Sequence, residues 1–563
     1  MNSPLKVVLC WHMHQPQYRD PVSGNYQLPW TYLHATKDYA DMAAWLEADP
    51  QARAVVNFAP ILLEQIDDYA QQIKRFCAES QPISDPLLAA LAQAQIPQDA
   101  IGRQALLTSC LRANQARVIE RYSAYQSLCT LAAVMQTDAA ALSYMGDQYF
   151  VDLVVWYHLV WLGESVHQRD DRVRSLVHKQ SHYTDQDRAV LIEVIGELLS
   201  TLIDRYRRLA DSGQVELAVS PYAHPILPLL LDFDSAREAM PDVELPQAPE
   251  YPGGEARTSW QLARARDVFR QYFQRDPIGC WPSEGGVSQR AAELIKQHDY
   301  QWIASGQNVL ANSLERTLSD NSDDDWPHRA YQVENGPRIF FRDDGLSDLI
   351  GFSYATWHAD DAVANLIHHL ETISRREGAE GDRVVSIIMD GENAWEFYPQ
   401  NARHFIPALY KAIHSHTDLE LTTFADCLDQ SAQPLPQLVS GSWVYGTFST
   451  WIGDPDKNMG WNLLVDAKQA FDGAVSCGAL QGDALLRAET QLAVCEGSDW
   501  FWWFGDYNPE GTVSDFEQLF RRQLSALYRF IGQDPPASLG HSFTHGQGQP
   551  GLGGVMRHGS EYG

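Results

Sequence analysis

The sequence predicts an α/β protein: a body of strands and helices with a long helical insertion and a mainly helical C-terminal region. Three observations predict it. Short apolar runs rich in β-branched residues, clearest at Val384-Val385-Ser386-Ile387-Ile388-Met389-Asp390, end abruptly in acids, Pro or Gly. Such runs read as parallel strands buried on both faces. Helical periodicity then fills residues 61–209 with few glycines, too long a stretch for simple strand–helix alternation. After Pro434-Leu435-Pro436 the text changes to loop motifs, followed by helical period from Trp461 to about Ala493. The boundaries expected are a body over 1–430 with the insertion at about 61–209, a helical region over 431–534 contributing to a groove, and a flexible Gly/His/Ser-rich tail over 535–563.

Taken in order, Lys6-Val7-Val8-Leu9-Cys10-Trp11 is a strand running into His12-Met13-His14-Gln15-Pro16. Residues two apart in extended chain share a face, so His12 and His14 point together. That pair suits a metal, sugar hydroxyls, or simple burial of one ring. Trp30 and His34 follow, then a second strand at Ala54-Val55-Val56-Asn57-Phe58-Ala59-Pro60. Gln214-Val215-Glu216-Leu217-Ala218-Val219-Ser220 is the next strand, with Pro221-Tyr222-Ala223-His224-Pro225 at its end. Pro277-Ile278-Gly279-Cys280-Trp281-Pro282-Ser283-Glu284-Gly285-Gly286 presents Glu284 after a short strand, beside an aromatic and glycines that let a ligand approach the backbone. Trp302 sits in a further strand-like run, and Arg338 to Asp348 is a strand with an acid-rich end holding Asp343. Val384 to Asp390 comes next, with Gly391-Glu392-Asn393-Ala394-Trp395 behind it, and Leu419 to Phe424 is the last strand. Glu496-Gly497-Ser498-Asp499-Trp500-Phe501-Trp502-Trp503-Phe504 packs more rings than one helix face can bury, so some should line a groove or interface.

Bulk properties narrow the chemistry. With 563 residues the chain can bury a large core, and 45% hydrophobic against 20% charged residues makes it globular. Its formal charge of −31 would repel phosphate backbones and acidic membrane surfaces, so neither nucleic acid nor membrane is an expected partner. A neutral substrate fits better. The eight cysteines are scattered without a C-x-x-C pair, which argues against a disulfide framework or zinc knuckle and for reduced thiols in a cytoplasmic protein. The N-terminus lacks a signal-peptide pattern, and the most apolar stretch, Val151 to Leu162, is too short to span a bilayer. No cofactor is expected.

Acids at strand ends, with aromatics beside them, point to sugar chemistry. Open α/β folds and barrels place chemistry beyond the carboxyl ends of their strands. Glycoside hydrolysis needs two carboxyls, one to attack or to activate water and one to protonate the leaving oxygen. Glu284, Asp343 or Asp344, and Asp390 qualify by position. Trp281 could wall the ring next to Glu284. Glu392 lies close enough to Asp390 for one of the two to have its pKa raised into a range useful for an acid. Asp343 follows Arg342, which favours its ionised form. The residues favour Glu284 as nucleophile and Asp390 as acid/base.

Read together, His12-Met13-His14-Gln15-Pro16, Gly213-Gln214-Val215-Glu216, Trp281-Pro282-Ser283-Glu284 and Asp390-Gly391-Glu392-Asn393-Ala394-Trp395 resemble glycoside hydrolase family 57. Asn57-Phe58-Ala59-Pro60, Phe341-Arg342-Asp343, Thr450-Trp451-Ile452-Gly453 and Glu496 to Trp503 look like its amylopullulanase-type branch. The match runs over roughly residues 5 to 530. It implies a distorted (β/α)7 barrel that hydrolyses α-glucans such as glycogen, starch or maltodextrins with retention, at α-1,4 bonds and at α-1,6 bonds as a second target. Glu284 would be the nucleophile and Asp390 the acid/base. His12, His14, Glu216, His224, Trp281, Trp302, Asp343, Glu392, Trp395, Asp499 and Trp500 would bind substrate, with no metal. One departure stands out: Trp-Pro-Ser-Glu replaces the Trp-Leu-Ala-Glu of other branches, which bears on subsite preference. The alternative is a 4-α-glucanotransferase or branching enzyme using the same pair. A metal-dependent deacetylase-like barrel using His12, His14 and a strand-end aspartate is a weaker option, and a glucan-binding protein with a dead site a further one.

Overall fold

The computed structural model describes residues 4–93, 96–135, 139–317, 326–376 and 382–546. Ten strands make one sheet: β1 (Leu5–Met13), β2 (Ala54–Phe58), β3 (Val215–Val219), β4 (Gly279–Cys280), β5 (Trp302–Ser305), β6 (Tyr331–Val333), β7 (Arg338–Phe341), β8 (Val384–Asp390), β9 (Leu419–Thr422) and β10 (Gln433–Leu435). Seven of them, in the order β7-β5-β4-β3-β2-β1-β8, are parallel throughout. The curl closes where Arg342 bridges Ser386 in parallel and the Asp343 amide donates to the Ser386 carbonyl at 2.8 Å. The architecture is the expected distorted (β/α)7 barrel. β9 adds to the lower half of β1, and β6 and β10 extend the edge beside β7.

Strand alternation sorts the side chains. Val7, Leu9 and Trp11, like Val385 and Ile387, face outward into the core shared with the helices. Val8, Cys10, Val55, Ala218, Trp281, Trp302, Ala304, Phe340, Val384 and Ile388 face inward and fill the barrel. Both faces of each strand are therefore dry, which is why the runs read as continuously apolar. Gly279 is forced by this filling: a Cβ there would stand 1.8 Å from the Trp302 indole. Near the carboxyl ends the interior turns polar, and register sets His12 beside both Asn57 and Asp390.

Between β2 and β3 the chain is helical, beginning with Pro60–Glu79 and ending with Asp185–Asp211. These two helices pack closely because Gly196 meets Ile73 without a side chain. A capping box of Thr184 and Asp187 starts the second. The C-terminal region holds the helices Pro455–Ser476, Gly482–Cys495, Asp499–Trp503 and Glu510–Phe530. The tail expected to be flexible from residue 535 is in part ordered. Phe543 packs on Phe504 and Phe520, and the His545 amide donates to Asp456 at 2.8 Å. Residues 547–563 of that tail lie outside the described residues. Among the described residues no helix is long and apolar enough to cross a membrane.

Candidate active site

A cavity of about 330 Å³ opens at the carboxyl ends of β1 and β8. The barrel contributes His12, His14, Glu284, Asp390, Glu392 and Asn393 to its wall. Trp30 and His34, which follow β1, and Arg112 and Trp161, from the insertion, form one flank. Asp499, Trp502, Trp503 and Phe516 from the C-terminal region form the other. Trp161 lies 5.7 Å from the Trp30 ring, and Trp503 stacks on Phe516 at 5.0 Å. An ion pair between Arg112 and Asp515 at 3.2 Å joins the two flanks.

Glu284 sits in a tight turn, Ser283–Gly285, with φ 56° and ψ 27°. Left-handed backbone at a non-glycine residue costs about 1–3 kcal/mol and persists only where the surroundings enforce it. Trp443 does so twice: its amide donates to the Glu284 carbonyl at 3.1 Å, and its indole Nε1 donates to Oε2 at 2.9 Å. Gly306 makes room for that loop, since a Cβ there would stand 2.6 Å from the Trp443 Cα. The carboxylate is thus aimed and partly buried, 14% exposed, with Oε1 3.9 Å from His224 Nδ1.

Asp390 closes β8 and, like Glu284, is only partly exposed at the cavity wall. Burial raises its pKa to about 6, against the opposing pull of an Asn393 hydrogen bond (Nδ2 to Oδ2, 3.0 Å) and the charges of His14 and Arg342. Gly391 follows because a Cβ would strike Met13 Sδ at 2.2 Å. Glu392 turns under the floor, where its Oε1 accepts from Gln15 Nε2 at 3.2 Å. Burial, then the charges of Asp390 and Asp38, push its pKa well above the carboxylate range. Burial thus raises the pKa of both adjacent acids, while the Glu284 carboxylate accepts the Trp443 indole N–H.

Three imidazoles stack at the wall, with His224, expected there, buried behind it: His12 on His224 at 5.0 Å and His224 on His14 at 3.9 Å. His12 Nδ1 donates to Asn57 Oδ1 at 2.6 Å, which leaves Nε2 as a bare acceptor. Burial and the neighbouring His14 lower its pKa to about 3. His224 Nδ1 meets Ser498 Oγ at 3.0 Å, and burial lowers its pKa well below 6.5. His14 Nε2 meets Asp499 at 2.8 Å. His14, His224 and Asp499 offer ligand atoms all within 4.8 Å of one another, a set that could hold a divalent ion. His12 is outside that set.

The other expected site residues lie elsewhere. Glu216, at the lower end of β3, accepts from Trp302 Nε1 at 2.6 Å and from the Ala425 amide at 2.8 Å deep in the barrel, and burial raises its pKa to about 7. Trp281 and Trp302 fill the barrel interior, Trp281 meeting Trp443 edge-on at 5.2 Å. Asp343 caps the helix Asp344–Asp348 and binds His328 Nε2 at 2.8 Å. Burial opposes its ionisation, but the His328 bond and charge hold its pKa below the usual value. Trp395 is buried against Trp11, and Trp500 donates to the Val494 carbonyl at 2.9 Å beneath the surface. Expected and present on the cavity wall are His12, His14, Glu284, Asp390, Glu392 and Asp499. Sequence reasoning left out Arg112, Trp161 and Phe516, which carry no local mark, and the clamp role of Trp443. For Trp502 and Trp503 the density of rings was the signal.

Comparison with known proteins bears on this site. A family model described as Glycosyl hydrolase family 57 matches residues 8–435. A curated protein of Methanocaldococcus jannaschii, named "Putative alpha-amylase", is 22% identical over 288 residues, 49% of this chain and 53% of that protein. The chain therefore spans about half the length of that curated relative. Among solved structures, the GH57-type branching enzyme from Pyrococcus horikoshii superposes with a TM-score of 0.57 at 16% identity, covering 93% of this chain and 89% of that one. An α-amylase from Thermotoga maritima gives 0.54 at 12% identity, covering 94% and 97%. At these identities the structural likeness is one of fold.

Proposed function

The chain belongs to glycosyl hydrolase family 57 and is a glycoside hydrolase, and from that premise we propose that it cleaves α-1,4 glucosidic bonds of glycogen, starch or maltodextrins with retention. The observation that carries this reading is one cavity holding two carboxyls in opposite environments: Glu284 bonded by an indole N–H, Asp390 raised by burial to about 6. Environments that push two acids apart assign their roles. The Glu284 carboxylate attacks the anomeric carbon, and the bond to the leaving oxygen breaks as Asp390 gives that oxygen its proton. The glycosyl ester on Glu284 is then opened by water, whose proton returns to Asp390. The acceptor nitrogen of His12 holds a sugar hydroxyl during both steps, while His224, buried behind the wall, supports His12 and His14 by stacking. The amylopullulanase-type reading adds α-1,6 cleavage.

Incubation with maltoheptaose and with pullulan, followed by NMR of the first product anomer and a count of reducing ends, tests this. New α-anomeric reducing ends are the expected result, and β-anomers would end the retaining mechanism. A second reading has an observation in its favour. Aromatic flanks formed by Trp30, Trp161, Trp502 and Trp503 can seat an acceptor sugar and exclude water, which would make the enzyme a 4-α-glucanotransferase or branching enzyme. Redistribution of chain length without new reducing ends would select it.

The pH profile follows from the same assignment. Asp390 must be protonated to act as an acid, so kcat/KM is expected to fall as pH rises through about 6. The Asn393 bond lowers the pKa of Asp390, so Asn393→Ala should move that alkaline limb upward. A limb that stays put or moves down would remove Asp390 as the titrating acid.

A further inference from the structure

Of the 17 tryptophans, all within the described residues, Trp357 alone is exposed, at 44%. Phe397 is also exposed, at 46%. Leaving such rings in water forgoes the gain of burying them. Folding does not account for their exposure, because both sit on firmly held backbone. The Trp357 amide donates to the Tyr354 carbonyl at 3.0 Å, and its ring meets Tyr354 edge-on at 5.3 Å. Phe397 ends the turn Asn393–Phe397, whose first residue bonds Asp390. One guanidinium ties the two loops together: Arg117 donates from Nε to the Phe397 carbonyl at 2.9 Å and from Nη2 to the Ala355 carbonyl at 3.1 Å. The rings are thus fixed in place rather than stray.

From these positions we propose that Trp357 and Phe397 form a platform for a stretch of α-glucan chain lying beyond the sugars being cleaved, an inference that rests on the glucan reading above. Continuity carries it. Asn393 and Glu396 line the catalytic cavity, and Phe397 is the next residue along the same turn. A chain leaving the cavity past Glu396 meets the Phe397 loop first, and Arg117 holds the Trp357 loop against it. Two aromatics among exposed polar residues, Thr356, His358 and Asp360, match sugar rings, which are apolar on their faces and hydroxylated at their edges. A stable protein partner would need about 1,000 Å² or more of buried surface. The chain's charge of −31 disfavours an anionic polymer.

The test compares Trp357→Ala, Phe397→Ala and the double variant on soluble starch and on maltotetraose. Binding to glycogen is measured in parallel by affinity electrophoresis in the Asp390→Asn background. A stacking contact is worth about 0.5–1.5 kcal/mol, so KM for starch should rise about 2- to 10-fold in each single variant and further in the double variant. Its starch kcat and its maltotetraose kcat/KM should stay within about twofold, well inside one stacking contact. Glycogen retardation should weaken. Equal losses on both substrates would mean a structural role and overturn the platform, as would a change in sedimentation without a change in starch KM. A wild type that handles glucans while the double variant keeps its starch KM overturns the platform alone. A wild type that neither binds nor turns over any glucan overturns the proposed function and the platform with it.

Discussion

Asp390→Asn is expected to lower kcat/KM on maltoheptaose by about 10²–10⁴-fold, the usual worth of a positioned general acid. Glu284→Ala should lose at least as much, because no covalent intermediate can form. Azide separates the two roles. In the Glu284→Ala enzyme it can enter from the face the carboxylate vacated and yield a β-glycosyl azide, with inversion. In Asp390→Asn it would open the glycosyl ester without base assistance and yield the α-glycosyl azide. Substrates with good leaving groups, which need no protonation, should recover the first step in Asp390→Asn but not in Glu284→Ala. Equal activity of wild type and both variants on starch would sink the pair. The Trp443 clamp makes a related point. Its indole N–H bonds Glu284 Oε2 and its amide holds the left-handed turn, so the nucleophile is aimed by a loop 159 residues away.

The parts of this site that were legible in sequence share one physical cause. A barrel strand buried on both faces stays apolar until it leaves the barrel unless an inward acid finds partners there, so an acid after an unbroken apolar run marks the carboxyl end. Asp390 announces itself after Val384 to Met389 for that reason, and Glu284 after Cys280 and Trp281. The period of two also placed His12 and His14 on one side, where their rings lie 5.8 Å apart. Depth was not legible. Glu216 faces inward like His12, but register puts it beside Val55, one inward layer lower, where it bonds Trp302 instead of opening to the cavity. Trp281 and Trp302 read as sugar walls because a ring that fills a barrel and a ring that lines its mouth have the same local sequence. Trp161 and Arg112 reach the cavity from turns just beyond helix ends, where helical period says nothing. Nothing local distinguishes a residue facing a groove from one facing water.

Glu496→Ala is expected to destabilise the fold by about 3–5 kcal/mol, the range for removing one partner of a buried ion pair. The Glu496 side chain has no exposure and accepts four hydrogen bonds: from Arg257 Nε at 2.6 Å and Nη2 at 3.1 Å, Tyr251 Oη at 2.6 Å and Gln261 Nε2 at 2.7 Å. Its removal leaves the Arg257 cation buried without its counter-charge, while Tyr251 and Gln261 lose their acceptor. The pair ties the helix Gly482–Cys495 to the barrel helix Gly254–Phe273 and so fixes the chain just before the site. Gly497 follows, packed so closely that a Cβ would stand 2.9 Å from the Ala223 carbonyl, then Ser498, whose amide donates to the His224 carbonyl at 2.9 Å, then Asp499 against His14. A variant that still folds should therefore lose activity too, through displacement of Asp499. Urea unfolding of Glu496→Ala, Glu496→Gln and the Arg257→Leu/Glu496→Leu double variant separates charge from shape. The double variant should cost less than Glu496→Ala, since replacing both partners leaves no stranded charge. A Glu496→Ala enzyme within about 1 kcal/mol of wild type, inside the range of an exposed pair, would show that the barrel and the C-terminal region are joined elsewhere.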